Sequence, residues 1–570
     1  MKYSSKEKIA RYFDLFILFV EIDIFILILF ELSYSFRPFV YNTGRILIVL
    51  YILDLTVQFL LNPRPKSYFL KYWHQYASLF SLILLYNRFS AVPESNQFLF
   101  LYSRLFLGCV EVIIFIKFIT RLERIREIWG SFKVNPAQAI IMSFASIILL
   151  GSFLLYLPYS RPSDTTMRYI DALFTSTSAV CVTGLIVVDT GTAFSPVGKT
   201  FLLLLIQAGG LGIMTIAAFI QVSTGSEMSL YGRFSTASLL DQANIRNLYT
   251  IIKSIVLITF SIEFVGLLLL YPYFVNSIAG KWKAFFHSLF HAVSAFCNAG
   301  FSLYSDSFMK ARSNVWVNII IISLIVTGGL GFTVLMNLFR RAVRRKKERI
   351  TVQTKLVLIT TLILILFGAV NIYILERDAL FMEFSHHERF FASLFQSVTT
   401  RTAGFNTVDT SALRSRTLFV MSILMFIGAS PGSTGGGIKT TTFFILILSI
   451  ITILRDQRFN TIFKRRIPYA VVNRAIAILV SAIGLIFFGT LLLSISEKFS
   501  FIQIYFETIS AFGTVGLSTG VTPYLSDFGK IVVMICMFIG RLGPLTMVLA
   551  IRNVQSTRLV TYPEERVMVG

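Results

Sequence analysis

Four short phrases in this chain read alike: "SAVCVTGLIVVD" from Ser178, "SAFCNAGFSLYSD" from Ser294, "VTTRTAGFNTVD" from Val398 and "SAFGTVGLSTG" from Ser510. Aligned on Gly184, Gly300, Gly404 and Gly516, they lie 116, 104 and 112 residues apart. A spacing that regular marks an internal repeat. Each glycine follows a phenylalanine (Phe174, Phe290, Phe395, Phe506) by ten, ten, nine and ten residues, so the third unit is one residue short. The segment between aromatic and glycine is too short to cross a membrane, and a long apolar run stands on either side of it. Every unit therefore reads as span, half-helix, small-residue turn, span.

The apolar runs define the solvent. Of 570 residues, 55% are hydrophobic and only 14% charged, and mean hydropathy is +0.73, values foreign to a soluble domain. Stretches of about twenty apolar residues, enough to cross a hydrocarbon core, recur along the whole length. They predict twelve spans, near 13–32, 43–62, 75–91, 97–119, 137–158, 196–221, 250–274, 315–339, 354–376, 417–452, 470–495 and 528–551. Lys and Arg gather at Lys2 to Arg11, Arg64 to Lys71, Arg121 to Lys133, Arg340 to Arg349 and Arg455 to Arg466. With an inside N-terminus all of these fall on one side, so the positive-inside rule makes both termini cytoplasmic and turns the four phrases outward. The net charge of +23 follows from this loop bias and from anionic lipid headgroups. Charge cut into short pieces between spans argues against nucleic-acid binding. The first apolar run is too long for a cleavable signal peptide and reads as a retained span. Four cysteines (Cys109, Cys181, Cys297, Cys536) form no C-x-x-C pair, and no disulfide framework is expected.

Irregular backbone survives at membrane depth only when buried in protein or lining a watery cavity. Four such turns can face one axis. Glycine reaches positive φ without a Cβ penalty and lets the chain turn its carbonyls toward that axis. Rings of carbonyls can replace the hydration shell of K+. The half-helices would also aim their partly negative C-terminal ends at the ion.

The residues at these turns, with "GASPGSTGGGIKTTT" (428–442) and the closing "YPEERVMVG", resemble the Trk/Ktr/HKT superfamily of cation transporters, and within it the KtrB type of bacterial Ktr potassium uptake systems. The resemblance covers about residues 135–570. It implies an all-α polytopic membrane protein in which four pseudo-repeats (about 135–225, 246–350, 351–460 and 467–552) surround a central pore. Four additional N-terminal transmembrane helices would occupy residues 1–134. By the same resemblance the selectivity filter, where K+ would bind, is lined by Cys181, Val182, Thr183 and Gly184; by Cys297, Asn298, Ala299 and Gly300; by Arg401, Thr402, Ala403 and Gly404; and by Gly513, Thr514, Val515 and Gly516. Because the four turns differ in sequence, selectivity should be looser than in a true tetramer. Arg401 is awkward beside a cation site and is expected to point away from the pore toward protein acceptors.

Within the tenth span the run Gly428 to Gly437 makes a poor helix. The resemblance gives it a role: an intramembrane gate loop that obstructs the pore below the filter, with Gly428, Gly432, Ser433, Thr434, Gly435, Gly436, Gly437 and Lys439 as its residues. The stretch is close to a phosphate-binding G-x-x-x-x-G-K-[ST] loop, but Ile438 separates Gly437 from Lys439 and no βα context surrounds it. A simple helix kink is the other alternative. Arg541 is a fixed charge within the twelfth span, where an ionised residue is costly unless paired or wetted. The resemblance sets it in the pore below the filter, touching the gate loop.

The remaining features are weaker. His287 and His291 have an i, i+4 spacing, but Ser288 stands where H-E-x-x-H requires Glu, so packing or hydrogen bonding is expected. No paired carboxylates or Ser/His/Asp set emerges, and the chain is not expected to be an enzyme. The N-terminal block holds acids (Glu21, Asp23, Glu31, Asp54, Glu111) but no sustained arginine every third residue in its fourth span. Packing or partner docking is therefore favoured there over voltage sensing. No covalently bound cofactor is expected, only K+ or Na+ as transported or coupling ion. The resemblance further implies a homodimer docked on a cytosolic ring of RCK-type, KtrA-like nucleotide-binding subunits. Alternatives of other kinds are a non-conducting membrane receptor or scaffold, and a proton-coupled K+ symporter of the same fold.

Overall fold

A computed structural model describes residues 136–162, 166–212, 248–343, 349–544 and 546–547. The N-terminal block, most of the 222–249 loop, basic residues 344–348 and the tail "YPEERVMVG" lie outside the described residues. The chain divides into one unit of Met1–Val134 with Leu157–Tyr159 and another of Asn135–Tyr156 with Ser160–Gly570. Every element below belongs to the second.

That unit is built from helices, with one two-residue hairpin at Thr461–Ile462 and Arg465–Arg466. The first repeat comprises α1 (Pro136–Tyr156), the half-helix α2 (Tyr169–Val180) and α3 (Pro196–Leu211). The second comprises α4 (Leu248–Ser277), the half-helix α5 (Lys281–Phe296), α6 (Val315–Leu330) and α7 (Phe332–Val343). In the third, α8 (Val352–Glu376) and the half-helix α9 (His386–Thr399) precede α10 (Ser415–Phe426) and α11 (Thr440–Leu454). The fourth has α12 (Tyr469–Ser496), the half-helix α13 (Phe501–Gly513) and α14 (Asp527–Leu542). Serine side chains cap several of these N-termini: Ser195, Ser385 and Ser526 accept from the third backbone N–H of their helices, and Ser385 and Ser500 sit in full capping boxes.

Length separates the first helix of a repeat from its last. Among the described residues, Ile252–Ser277, Val352–Glu376 and Tyr469–Ser496 are each long and apolar enough to cross a membrane alone. Leu257, Phe260, Phe264 and Leu268 on α4, like Leu362, Leu366 and Phe367 on α8, form exposed apolar stripes whose natural solvent is lipid. The closing helices are shorter than expected: α3 stops at Gly212 (φ 79°), α6 at Gly331 (φ 91°) and α14 at Gly543 (φ 86°), glycines whose positive φ with extended ψ is open to them for want of a Cβ. The expected single span 315–339 is therefore two helices meeting at 103°. Sequence reasoning missed the signal, a phrase Gly-Gly-Leu-Gly at 209–212 and 328–331 that returns as Gly-Arg-Leu-Gly at 540–543. The tenth span is broken between α10 and α11, where the glycine-rich run led us to expect an interruption.

The repeats close into a ring through one recurring seam. In each repeat the helix that follows the half-helix packs against the half-helix of the next repeat: α3 on α5, α6 on α9, α10 on α13, and α14 back on α2. Phe174, Phe290, Phe395 and Phe506 are fully buried at the same level of their half-helices. Chain connects three of the seams. The fourth joins the first repeat to the last across 359 residues and carries a buried ion pair, Lys530 Nζ to Asp171 Oδ1 at 2.7 Å. Arg168 flanks it, 3.0 Å from Asp527 and 3.4 Å from Asp171.

Removing one member of a buried pair strands the other charge, at a cost of about 3–5 kcal/mol. Lys530→Met should therefore lower the thermal unfolding temperature of the detergent-solubilised protein markedly. The double variant Lys530→Met/Asp171→Asn should recover most of that loss, and a single variant as stable as the parent would contradict this account of the seam.

Candidate functional site

The half-helices end in the four small-residue turns, and three of them end in the same way. The N–H groups of Thr183, Ala299 and Val515 each bond, at 2.8 Å, to the carbonyl five residues back, on Ser178, Ser294 and Ser510. This is the Schellman closure of a helix, whose left-handed position usually holds glycine. Here it holds Val182 (φ 56°), Asn298 (φ 59°) and Thr514 (φ 49°). In the third repeat Thr402 (φ 71°) takes that position, and the N–H of Ala403 bonds only four residues back, to Thr399 at 3.0 Å. The residue missing from the third unit is thus removed from the turn and not from the half-helix. Left-handed backbone costs an ordinary L-residue about 1–2 kcal/mol, more conspicuously for β-branched Val and Thr. Strain of this kind concentrates at functional sites.

Two residues further on, Gly184 (φ 92°), Gly300 (φ 70°), Gly404 (φ 78°) and Gly516 (φ 88°) return to positive φ, while Thr183, Ala299, Ala403 and Val515 between them do not. Backbone that alternates hand turns successive peptide groups to one side instead of opposite sides. The four turns also interlock. A Cβ on Gly184 would lie 2.5 Å from the Ala299 carbonyl oxygen, one on Gly300 2.8 Å from that of Ala403, and one on Gly404 2.6 Å from that of Val515. A Cβ on Gly516 would strike the carbonyl oxygen of Thr183, which completes the circle. Hydroxyls fasten each turn to its half-helix: Ser178 and Ser510 accept from the N–H of Gly184 (3.0 Å) and Gly516 (3.2 Å), while Ser294 and Thr399 donate to the carbonyls of Phe301 (2.8 Å) and Phe405 (2.7 Å). Of the sixteen expected turn residues, Thr183 and Gly184, Ala299 and Gly300, Ala403 and Gly404, and Val515 and Gly516 meet across the repeats in this ring, while Arg401 and Cys297 face other partners.

The run between α10 and α11 packs against it. Ile427 and Ile438 pair as a short parallel bridge, so the intervening residues form a closed loop. Gly432 and Gly437 have φ of 66° and 67°. The loop reaches two of the turns, with the N–H of Gly436 donating to Thr514 Oγ1 at 2.9 Å and Gly435 lying against Thr402. It also reaches the α6/α7 corner: Ser430 N–H donates to Gly329 O (3.1 Å), Thr434 N–H to Gly328 O (3.4 Å), and Phe332 N–H to Gly432 O (2.9 Å). Lys439 Nζ turns back to Gly435 O at 2.7 Å. The Ser433 hydroxyl has no partner among the described residues. The Gly428 carbonyl accepts from the buried Arg401 guanidinium at 3.2 Å, so Arg401 does point to a protein acceptor, although its other nitrogens find none among the described residues.

Arg541 is the penultimate residue of α14, just before Gly543, and lies against the loop. Its guanidinium donates to the carbonyls of Thr434 in the loop and Gly209 near the end of α3, bridging the fourth repeat to the third and the first.

Sequence reasoning missed several buried carboxylates that brace the scaffold. Glu507 accepts from Thr519 N–H (3.0 Å), Thr522 Oγ1 (2.9 Å) and Ser518 Oγ, clasping the segment after the fourth turn. Glu376 accepts from Arg414 N–H at 3.0 Å and from Thr417. Glu263 accepts from Gln207 at 3.3 Å and faces the Cys297 thiol at 3.7 Å. An acid inside an apolar run was the available signal. His291 binds the His287 carbonyl (2.8 Å) and Ser302 Oγ (3.2 Å) and stacks on Phe274 and Tyr304, a packing role. Among the described residues no group of three or more His, Cys, Asp and Glu could hold a metal, and Cys181, Cys297 and Cys536 are free and buried.

Comparison with known proteins gives this geometry a family. The profile of the TrkH family, described as "Cation transport protein", matches residues 110–562. The Ktr system potassium uptake protein B of Bacillus subtilis is 40% identical over 444 residues, 78% of this chain and 98% of that protein. The potassium/sodium uptake protein NtpJ of Enterococcus hirae is 36% identical, over 77% of this chain and 98% of its own. In fold, the chain is similar to the crystal structure of the potassium transporter TrkH from Vibrio parahaemolyticus, with a TM-score of 0.59 and 16% identity over 91% of this chain and 99% of that one. This chain belongs to the TrkH family of cation transport proteins, a family of multi-pass membrane transporters and not of enzymes.

Proposed function

We propose that the protein takes up K+ across the cytoplasmic membrane through the centre of the ring, with the four turns as its selectivity filter. The observation that carries this reading is the interlocked circle of Gly184, Gly300, Gly404 and Gly516, whose alternating backbone can present carbonyls to a dehydrated cation. A receptor or scaffold has no need of four strained turns meeting without side chains. The potassium and potassium/sodium uptake named for the relatives supports K+ as cargo and leaves Na+ as a second or coupling ion. With the basic loops cytoplasmic, the ring faces outside and the loop 427–439 lies on its inner side. There the loop, with Lys439 and Arg541, obstructs the path. The two cations raise the barrier to a permeating ion, and Arg541 ties the loop to α3. Proton-coupled symport is the rival mechanism and would appear as accumulation that follows the pH gradient.

The word "system" in the relatives' names supports control by a second component, which we read as a cytosolic nucleotide-binding ring beneath a homodimer.

Replacing Gly516 by Ser puts a Cβ against the Thr183 carbonyl at positive φ, a cost of about 1–2 kcal/mol, so K+ over Na+ discrimination in proteoliposome flux should fall on the order of tenfold. Unchanged selectivity would remove the filter assignment. Shortening the loop by several of its glycines and serines should raise K+ flux, and Arg541→Ala should raise it less; lost flux in correctly inserted protein would count against obstruction. The protein should also co-purify with a soluble nucleotide-binding ring whose exchange of ATP for ADP shifts K+ flux. A monomer indifferent to both would end that part of the scheme.

A further inference from the structure

The α6/α7 corner is the part of the second repeat that the transport path does not require. α6 has 16 residues, about 24 Å of helix, so on the orientation proposed above it brings Gly331 close to the inner edge of the hydrocarbon core. The 103° bend there lays α7 roughly along the membrane plane. One face of α7 is held by the protein: Val334 packs with Leu330 and Val357, and Asn337 Oδ1 accepts from Thr354 Oγ1 at 3.1 Å and from Thr351 N–H at 3.3 Å. The far end differs. Phe339 is 61% exposed, Arg340 and Arg341 are exposed beside it, and neither arginine forms an ion pair with any described acidic residue.

An exposed aromatic beside paired cations, on a helix lying in the plane of the interface, complements an anionic phospholipid headgroup with its acyl chain alongside. The start of the same helix is bonded to the loop. Phe332 N–H donates to Gly432 O at 2.9 Å, and a Cβ on Gly331 would meet Pro431 O at 2.5 Å. Gly328 and Gly329, one turn earlier, receive two further bonds from Thr434 and Ser430. A helix drawn toward the headgroups therefore has no slack before it moves the loop.

We infer that α7 is an anionic-phospholipid site, formed by Phe339, Arg340 and Arg341, whose occupancy sets the position of the loop 427–439 through the Gly331–Gly432 junction. The inference takes its sidedness from the proposed orientation, and any effect on transport rests on the reading of the loop as an obstruction. It is a positioning device, since none of the three residues touches the ion path.

The test uses the full chain in vesicles of phosphatidylcholine with increasing phosphatidylglycerol. In a Phe339→Trp variant, the added emission should be quenched more by brominated phosphatidylglycerol than by brominated phosphatidylcholine. Arg340→Gln/Arg341→Gln should weaken that preference by about fivefold for each arginine neutralised. Hydrogen exchange of the 427–439 segment should change with phosphatidylglycerol in the parent and not in the double arginine variant. Equal quenching by the two lipids, or loop exchange indifferent to lipid, overturns the inference. So does a double arginine variant that keeps its lipid preference but no longer binds a soluble nucleotide-binding ring, because the arginines would then serve a protein partner. If loop exchange follows lipid while K+ flux does not, the lipid site stands and the obstruction reading fails.

Discussion

The tightest constraint in this molecule is the meeting of four backbones at Gly184, Gly300, Gly404 and Gly516, where a single added carbon would strike the next repeat's carbonyl oxygen. Backbones that close must be brought in by elements of matched length and level. The four half-helices do this, each anchored by a buried phenylalanine near its middle and fastened to its turn by a Ser or Thr. The repeated seam then follows, because the helix after each half-helix must back the half-helix of the neighbouring repeat. Where the chain itself cannot hold the seam, between first and last repeats, a buried Lys–Asp pair holds it.

Helix ends buried within the protein leave carbonyls and N–H groups that need partners. The structure resolves this by letting the breaks serve one another. Gly328 and Gly329, at the end of α6, accept from the loop between α10 and α11, and the loop returns a carbonyl at Gly432 to the first N–H of α7. Gly209, at the end of α3, and Thr434, in the loop, both accept from Arg541, at the end of α14. The ends of α3, α6 and α14 and the loop between α10 and α11 are therefore joined in one polar layer against the ring. This also answers the difficulty of an arginine among buried helix ends. Its charge is shared between a loop carbonyl and one at the C-terminal end of α3, the partly negative pole a cation prefers.

Much of this was legible in the residues. The period of the four phrases, the phenylalanines and the glycine-rich run are features of local composition, and composition sufficed to place half-helices, turns and an interrupted tenth span. What was not legible depended on φ. Asn298 is of a type that accepts left-handed backbone, but nothing in Val182 or Thr514 as residue types announces it; there it is imposed by the Schellman closure and by the packing of four turns together. The break at Gly331 was hidden for a different reason. Apolar residues continue through it on both sides, so hydropathy reads one span where backbone makes a right-angled corner. The repeat of Gly-Gly-Leu-Gly would have exposed the corner had the closing helices been aligned as the turns were. The Lys530–Asp171 pair lay beyond reach because its partners are 359 residues apart.

The ring repeats its backbone and not its side chains. The left-handed position holds Val, Asn, Thr and Thr in turn, and the third turn closes one residue sooner than the rest. On the proposed reading, carbonyls do the selecting, so this variation is tolerated where it would be ruinous for a site read by side chains. It also permits something that four identical subunits could not build. The loop from the third repeat extends under the ring as far as Thr514 of the fourth and the end of α6 in the second. Four symmetry copies of such a loop would compete for the same space on the axis. A single chain can place one loop there, give its neighbours the small residues that receive it, and set Arg541 opposite, where the first and second repeats have Gly210 and Gly329. Asymmetry concentrated in the layer against the turns thus leaves the ring of backbones closed while admitting a single loop beside it.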